Sequence, residues 1–144
     1  MYFMGEFNHN IDSKGRIVIP SKYREYFNDK VILTRGYDGC LSLYLEEQWL
    51  KIIDELNKLP LTNNEVRNYV RLTTAKASDC EIDNQNRILI SKSMMSLAQL
   101  QKECVFVGAN DHLELWAKEK WEEYSNAVND KYEEVAESVT SFLK

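Results

Sequence analysis

The sequence has few of the residues on which metal centres and covalent catalysis usually depend. Its 144 residues include two histidines, His9 and His112, and three cysteines, Cys40, Cys80 and Cys104. These residues are widely spaced and form neither a C-x-x-C pair nor any other zinc-ligand spacing. We therefore expect no metal and no cofactor, and we expect the cysteines to remain reduced and to pack as small hydrophobic residues.

Long apolar runs are also missing. The first ten residues, MYFMGEFNHN, lack the basic segment and continuous apolar run of a signal peptide. No stretch approaches the roughly 20 apolar residues needed to cross a bilayer. We therefore expect a soluble cytoplasmic protein with no membrane partner. Its length and its 44% hydrophobic residues allow one core, or two small cores that share an interface.

An overall positive charge is lacking as well, because the net charge is −5. This value argues mildly against nucleic-acid binding, but the distribution of charge matters more than the total. Residues 8–24 sum to +3, whereas residues 117–144 sum to −3. The basic residues of the first segment are Lys14, Arg16, Lys22 and Arg24. Such a segment can face a phosphate backbone, or it can be an ordinary solvated surface.

The chain contains an internal repeat. Residues 11–19 (IDSKGRIVI) and 82–90 (IDNQNRILI) share five identities at a constant shift of 71 positions. A second pair of segments, residues 41–44 (LSLY) and 113–116 (LELW), follows at a shift of 72. Two ordered blocks at nearly one spacing are the signature of a duplicated structural unit.

Each copy predicts the same order of elements. A short strand leads into a polar loop with Asp and Arg, then into a β-branched strand and a short helix, which begins at Pro20 or within residues 91–93. An apolar strand, a turn and an alternating strand follow. The fold class is therefore α+β. Four short strands with one open face need a partner, so we expect neither copy to fold alone.

Helices are predicted after each copy. The first covers residues 46–59 and stops at Pro60, and Thr62 with Glu65 resembles a capping box that opens another. The last is predicted to run from about Ala117 into the C-terminal tail. Apolar side chains recur at helical spacing in all three, and we interpret these stripes mainly as core packing.

Several segments together resemble one known family. They are residues 5–7 (GEF), 11–20 (IDSKGRIVIP), 34–41 (TRGYDGCL), 59–62 (LPLT), 80–83 (CEID), 87–90 (RILI) and 113–116 (LELW). Each segment alone is weak, but in this order they resemble the MraZ family. The resemblance covers the chain to about Tyr124.

The resemblance implies a particular fold and function. Two SpoVT/AbrB-like β-α-β-β half-barrels would be fused in one chain as a swapped-hairpin barrel with flanking helices. The first repeat would cover residues 5–47, a helical connector 48–75, the second repeat 76–119 and a C-terminal helix 120–144. The family implies a transcriptional regulator in the cytoplasm, associated with the nucleoid. It would act as a ring-shaped homo-oligomer on double-stranded DNA with short tandem guanine-containing repeats in its own promoter region.

The DNA-facing residues implied by the family lie in the two repeated loops, residues 12–16 and 83–87. Arg16 and Arg87 carry the planar donor fork that matches the O6 and N7 atoms of guanine. Lys14 has a compact charge suited to phosphate, and Gln85 is assigned to either a base edge or a phosphate.

Other residues of the loops are assigned to their shape. We expect Asp12 and Asp83 to bind backbone amides or the arginine of their own loop, and Gly15 and Asn86 to form the turn. Two departures from the family concern the second copy, where Asn86 replaces the usual glycine and Ser91 replaces the usual proline. Asparagine tolerates a left-handed backbone better than other non-glycine residues. The second loop also lacks a lysine.

Two other classes of function compete with this interpretation. An enzyme is disfavoured because the sequence has no Ser-His-Asp set, no glycine-rich phosphate loop and no metal cluster. An AbrB-like antitoxin or another protein-interaction module would use the acidic C-terminal helix for docking. A single Asp–Arg pair is more often a solvated salt bridge at a turn, and it is the repetition that favours DNA binding.

Overall fold

The strands of the two repeats interleave in two antiparallel sheets. The computed structural model describes residues 2–143, and in that range it has eight strands, five α-helices and two 3₁₀ helices. The elements of the first half are β1 (Glu6–Asn10), β2 (Arg16–Val18), a 3₁₀ helix (Ser21–Phe27), β3 (Lys30–Arg35), β4 (Leu41–Tyr44), α1 (Glu46–Asn57) and α2 (Asn64–Ala75). Those of the second half are β5 (Ser78–Glu81), β6 (Arg87–Leu89), α3 (Lys92–Leu97), β7 (Glu103–Gly108), β8 (Leu113–Ala117), α4 (Lys118–Asn129), α5 (Tyr132–Ser138) and a 3₁₀ turn (Thr140–Phe142).

The large sheet has the strand order β1-β7-β8-β4-β3-β5, and β2 pairs with β6 in a separate two-stranded ribbon. Strand β1 of the first half pairs with β7 of the second, in a register that places Phe7 opposite Phe106. Strand β5 of the second half pairs with β3 of the first, and β4 pairs with β8. Each half therefore completes the sheet of the other, and the α+β class predicted from the sequence is confirmed.

The hydrophobic core includes the apolar positions that the repeat shares. Ile17 and Ile88 are paired across the ribbon, and both are buried. Ile19 and Ile90, which follow the two strands, are buried too. The large sheet contributes Leu33, Leu41, Leu43, Phe106, Leu113 and Leu115 to the same cluster. Because one cluster contains side chains from both sheets and both halves, burial of apolar surface joins the copies into one folding unit.

Local sequence explains how the two short helices begin. Pro20 directly precedes the 3₁₀ helix. Its ring fixes its φ at −52°, near the value found in helices, so the chain is already oriented for the first turn. In the second copy Ser91 stands at this place, and its hydroxyl accepts a hydrogen bond from the backbone N–H of Met94 at 3.2 Å. The proline and the serine thus open equivalent helices by different means, a fixed dihedral angle and an N-cap hydrogen bond.

Two predicted helix boundaries were wrong. The N-cap of α2 is Asn63, whose side chain accepts a hydrogen bond from the backbone N–H of Val66 at 3.1 Å, so the predicted capping box at Thr62 does not form. Asparagine is as good an N-cap as threonine or better. The last helix is not continuous, since α4 ends at Asn129 and α5 begins at Tyr132. Two poor helix formers lie at the break, Asn129 at the end of α4 and Asp130 directly after it.

The prediction that the apolar stripe of the last helix packs in the core was also wrong. Beyond Trp121 this stripe is exposed, and the exposed fraction of Tyr132 reaches 73% and that of Phe142 reaches 81%. Helical periodicity shows that a face is apolar, but not which surface covers it. The stripe of α1 does face inward, with Leu56 buried and Trp49 half-buried. Among residues 2–143, no helix has the length and apolarity to span a membrane.

Replacement of Phe106 by alanine should test the shared core. The Phe106 ring has an exposed fraction of 0% and lies on β7, between strands from both halves. We expect Phe106→Ala to lower the free energy of unfolding by about 3–5 kcal/mol, through lost apolar burial and a residual cavity. Urea denaturation followed by tryptophan fluorescence measures the change.

The matched control is Phe142→Ala, which removes the same ring from an exposed position and should change the free energy of unfolding of the single chain by less than about 0.5 kcal/mol. Equal effects of the two substitutions would contradict the placement of the core.

Candidate nucleic-acid interface

The two Asp–Arg loops lie side by side where the ribbon joins the halves. We call residues 12–16 the first loop and residues 83–87 the second loop. The backbone N–H of Ile90 donates to the carbonyl oxygen of Gly15, and that of Ile19 donates to the carbonyl oxygen of Asn86, both at 2.8 Å. Each loop is thus bonded to the strand end of the other half. The Nη1 atom of Arg87 lies 4.0 Å from the Oδ2 atom of Asp12, so the loops are also close through their side chains.

The aspartate of each loop accepts three hydrogen bonds. The Oδ1 atom of Asp12 accepts from the backbone N–H groups of Lys14 and Arg16, both at 2.9 Å, and its Oδ2 atom accepts from the Nε of Arg16 at 2.8 Å. The first loop is therefore closed by one carboxylate that binds both backbone and guanidinium.

The second loop repeats this geometry. The Oδ1 atom of Asp83 accepts from the backbone N–H groups of Gln85 and Arg87 at 2.9 Å, and its Oδ2 atom accepts from the Nε of Arg87 at 2.8 Å. The aspartate stands four residues before the arginine, and this spacing lets the carboxylate bind the guanidinium within the loop, which is why the sequence alone indicates the motif.

The fourth position of each loop has a left-handed backbone. Gly15 has a φ of 83° and Asn86 a φ of 61°. A Cβ atom at Gly15 would lie 3.0 Å from the carbonyl oxygen of Ile90, closer than side chains usually approach. Asn86 carries a side chain at the corresponding place, and its Oδ1 atom accepts a hydrogen bond from the Nε of Arg24 at 2.9 Å.

Arg24 is a residue of the site whose contact the sequence reasoning missed. The sequence indicates it only as a charge of the basic segment, because its partner lies 62 residues away in the chain. A signal was present, however. At the repeat shift of 71, Arg24 corresponds to Met95, so the copies differ at this position as well as at Gly15 and Asn86. The residues at the two positions where the copies differ therefore lie close together in the folded chain, Arg24 with Asn86 and Met95 with Gly15.

The loop carboxylates remain ionised at neutral pH. The pKa of Asp12 is lowered chiefly by the backbone hydrogen bond from Arg16, and the pKa of Asp83 chiefly by that from Arg87, with partial desolvation opposing both shifts. Each carboxylate stabilises the arginine of its loop in one orientation. The Arg16 side chain is 31% exposed and that of Arg87 is 23% exposed, so both side chains are partly accessible to solvent.

Lys14 and Gln85 occupy the same position in the two loops, and both are exposed. Within residues 2–143 neither side chain makes a hydrogen bond, and the only side-chain hydrogen bond of Arg16 is the one from its Nε to Asp12. The terminal nitrogens of Arg16 and the head groups of Lys14 and Gln85 are therefore available to a ligand. Arginine forks suit planar acceptor pairs, and lysine suits phosphate.

The residues suited to other chemistry are dispersed or buried. In the part of the chain that the structure describes, no three His, Cys, Asp or Glu residues are grouped so that they could hold a metal ion. The three cysteines are free. Burial raises the pKa of Cys104 to about 11 and also raises the pKa values of Cys40 and Cys80, so the thiols are protonated at neutral pH.

Taken together, these features define a duplicated α+β protein with two equivalent Asp–Arg loops on a ribbon that both halves share. Residues 2–72 and 74–142 each match the model of the family described as "MraZ protein, putative antitoxin-like". The chain belongs to the MraZ family, as its sequence motifs indicated.

Several relatives align with nearly the whole chain. A protein of Ligilactobacillus salivarius is 43% identical over 140 residues, which cover 97% of this chain and 98% of the relative. One from Lactobacillus delbrueckii subsp. bulgaricus is 46% identical over 95% of this chain and 96% of its own length. One from Caldanaerobacter subterraneus subsp. tengcongensis is 42% identical over 96% and 97%. All three are named transcriptional regulator MraZ.

The lowered pKa values predict how acid affects the loops. Each aspartate stabilises the fold fully above its ordinary pKa of 3.8, and this contribution is lost as the pH falls through the lower folded-state value. Asp12→Asn combined with Asp83→Asn should therefore show a shallower loss of stability than the wild type between about pH 5 and pH 2. Urea midpoints measured across this range test the slope.

The control for this measurement is Asp54→Asn, at an exposed position of α1 outside both loops. It should follow the wild-type curve. If the double variant also runs parallel to the wild type, the loop carboxylates are not the groups that link folding to protons.

Proposed function

We propose that this chain is a sequence-specific DNA-binding transcriptional regulator that reads short, tandem, guanine-containing repeats in its own promoter region. The observation that carries this proposal is the paired loops, two copies of one Asp–Arg geometry held side by side across the β2–β6 ribbon. The names of the relatives support a role in transcription. A regulator of this kind acts in the cytoplasm, at the nucleoid.

Arg16 and Arg87 are proposed to read guanine. In each, the Nε donates to an aspartate of the same loop at 2.8 Å, which fixes the plane of the guanidinium before DNA arrives. The terminal nitrogens then bind the O6 and N7 atoms of guanine in the major groove. Because the rotamer is already restricted, less conformational entropy is lost on binding.

Lys14 is proposed to bind phosphate, and Gln85 is proposed to bind a phosphate or a base edge from the corresponding position. Phosphate contacts supply salt-dependent affinity and fix the register of the protein on the duplex. Asp12, Gly15, Asp83 and Asn86 are proposed to shape the loops and make no DNA contact themselves. The α4 helix packs mainly against β7 and β8 of the large sheet.

The exchanged strands support a more specific description of the fold. We propose that the two halves form a swapped-hairpin barrel of the SpoVT/AbrB type, in which residues 5–47 and 76–119 are the two repeats. Residues 48–75 then form a helical connector and residues 120–144 a C-terminal helical segment. The pairing of β1 with β7 and of β5 with β3 is the exchange that such a barrel requires.

The exposed apolar stripe supports self-assembly. Val128, Tyr132, Val135, Val139 and Phe142 are exposed large apolar residues on α4, α5 and the turn that follows them. Apolar surface of this extent on a single chain usually marks an interface. We propose that copies of the chain join through their helices into a closed ring, since head-to-tail contacts close when the rotation permits. A ring presents several loops to successive DNA repeats and so multiplies modest contacts into avidity.

The DNA proposal predicts unequal effects of the two arginines. Arg16→Ala should abolish specific binding, because each bidentate contact to guanine contributes about 1–3 kcal/mol and the loss is repeated in every engaged subunit. Arg87→Ala should weaken binding less, because the second loop has no lysine and lies near Asp79 and Glu81. Fluorescence anisotropy with the DNA upstream of the protein's own gene, mapped first by footprinting, measures both.

Arg71→Ala is the charge-matched control, since Arg71 is exposed on α2, outside the loops. It should leave the affinity unchanged. Wild-type affinity of Arg16→Ala would refute the assignment to guanine, and equal losses in both loop variants would show that the two loops enter the groove alike.

The ring proposal predicts the mass of the protein in solution. Light scattering at micromolar concentration should give a multiple of the 16.9 kDa chain, and removal of residues 125–144 should reduce this mass while the barrel remains folded by circular dichroism. DNA affinity should then fall through lost avidity. A full-length protein of about one chain mass would refute the ring.

A further inference from the structure

Arg24 connects the first half of the chain to the second loop. It lies in the first 3₁₀ helix, and its Nε donates to the Oδ1 atom of Asn86 at 2.9 Å. Its Nη1 donates to the carbonyl oxygen of Asn28, the residue that follows the end of the same helix. The side chain is half-buried. One guanidinium thus bridges the end of its own helix and the loop of the other half.

Arg24 contacts the second loop at Asn86, the residue of that loop with a left-handed backbone. Asn86 has a φ of 61°, in the left-handed region that glycine adopts readily and other residues adopt at a cost. A hydrogen bond to the Asn86 side chain offsets part of this cost. The backbone of Asn86 also donates to the carbonyl oxygen of Asp83 at 3.0 Å and accepts from Ile19 at 2.8 Å, so its position fixes both the loop and the ribbon.

The first loop is held differently. Its left-handed residue is Gly15, which has no side chain to anchor. Met95, the repeat counterpart of Arg24, lies near Gly15, with its Sδ atom 3.8 Å from the place of a Cβ. A thioether has no donor hydrogen. The two loops therefore share their internal geometry and each has a backbone hydrogen bond from the opposite half, but among the described residues only the second also accepts a side-chain hydrogen bond from that half.

We infer that Arg24 is a positioning residue for the second loop, which acts through Asn86 to hold Arg87 in the orientation that reads DNA. This inference rests on the proposed DNA-binding function. Arg87 directly follows Asn86 in the chain, so a change in the backbone of Asn86 moves the guanidinium and its bond to Asp83. Arg24 itself need not touch the DNA.

The first experiment uses the free full-length protein. We expect Arg24→Ala to increase the hydrogen exchange of the backbone amides of Asn86 and Arg87 and of the Arg87 Nε–H, measured by NMR. Exchange at Lys14 and Arg16 should not change. Arg24→Met gives this position the residue of the first copy, Met95, so it keeps an unbranched side chain in the helix, removes the donor to Asn86 and should loosen the same amides. It therefore decides the question even if Arg24→Ala fails to fold.

The second experiment is a double-mutant cycle on the mapped operator DNA. Arg24→Ala should bind about tenfold more weakly, the lower end of what a hydrogen bond to a charged group contributes. Arg24→Lys should bind equally weakly, because lysine keeps the charge but lacks the planar fork. In the N86G background Arg24→Ala should cause no further loss. Arg71→Ala is the control for simple loss of a cation.

The outcomes separate this inference from the function on which it rests. If wild-type protein shows no sequence-specific, salt-dependent binding, the proposed function fails, while the exchange measurement still tests the bridge. If Arg24→Ala weakens binding equally with and without N86G and reduces the salt slope by about one, Arg24 binds phosphate directly and the inference is overturned. Unchanged exchange in the second loop of both Arg24→Ala and Arg24→Met overturns it as well.

Discussion

The antiparallel pairing of β2 with β6 brings the two Asp–Arg loops together, and the arrangement of the whole site depends on it. Each loop precedes one strand of this ribbon, and its carbonyl group accepts a hydrogen bond from the strand end of the other half. The ribbon is only two strands wide, so it needs the core behind it. Ile17 and Ile88 fill that core from the ribbon side, and Phe106 is buried in it on the large sheet. Packing between the halves therefore determines where the arginines stand relative to each other.

Within each loop, by contrast, the geometry is local. An aspartate four residues before an arginine binds two backbone amides and one guanidinium nitrogen, and the same distances recur in both copies. This local closure lowers the pKa of each carboxylate and fixes each arginine before any ligand binds. Duplication then supplies two such units, and the β2–β6 ribbon sets the distance between them. The proposed DNA-binding role is compatible with a net charge of −5, because residues 8–24 sum to +3 while the acidic excess lies in residues 117–144.

The two copies have diverged around a common loop. Gly15 meets its backbone requirement by having no side chain, whereas Asn86 meets it with a side chain that Arg24 binds. The helices diverged further, since α1 packs inward through Leu56 and the last helices leave an apolar face exposed. Fusion of the repeats makes such divergence possible, because each half of a single chain can change without its partner changing in the same way.

The repeat, the α+β class, the succession of strands and helices along each copy and the positions of the two Asp–Arg loops follow from the sequence alone, because they rest on periodicity and on contacts between near neighbours in the chain. The sequence motifs also indicate the family, and the match to the family model and to near full-length relatives confirms it. Only the tertiary structure decided which strands pair between halves, that Asn63 caps α2, that the C-terminal helix breaks, and that Arg24 reaches Asn86. The strand pairing and the Arg24–Asn86 contact depend on contacts between distant segments, whose energies local patterns do not contain. The N-cap and the helix break are local, but neighbouring residues such as Thr62 and Asn63 compete for the same boundary.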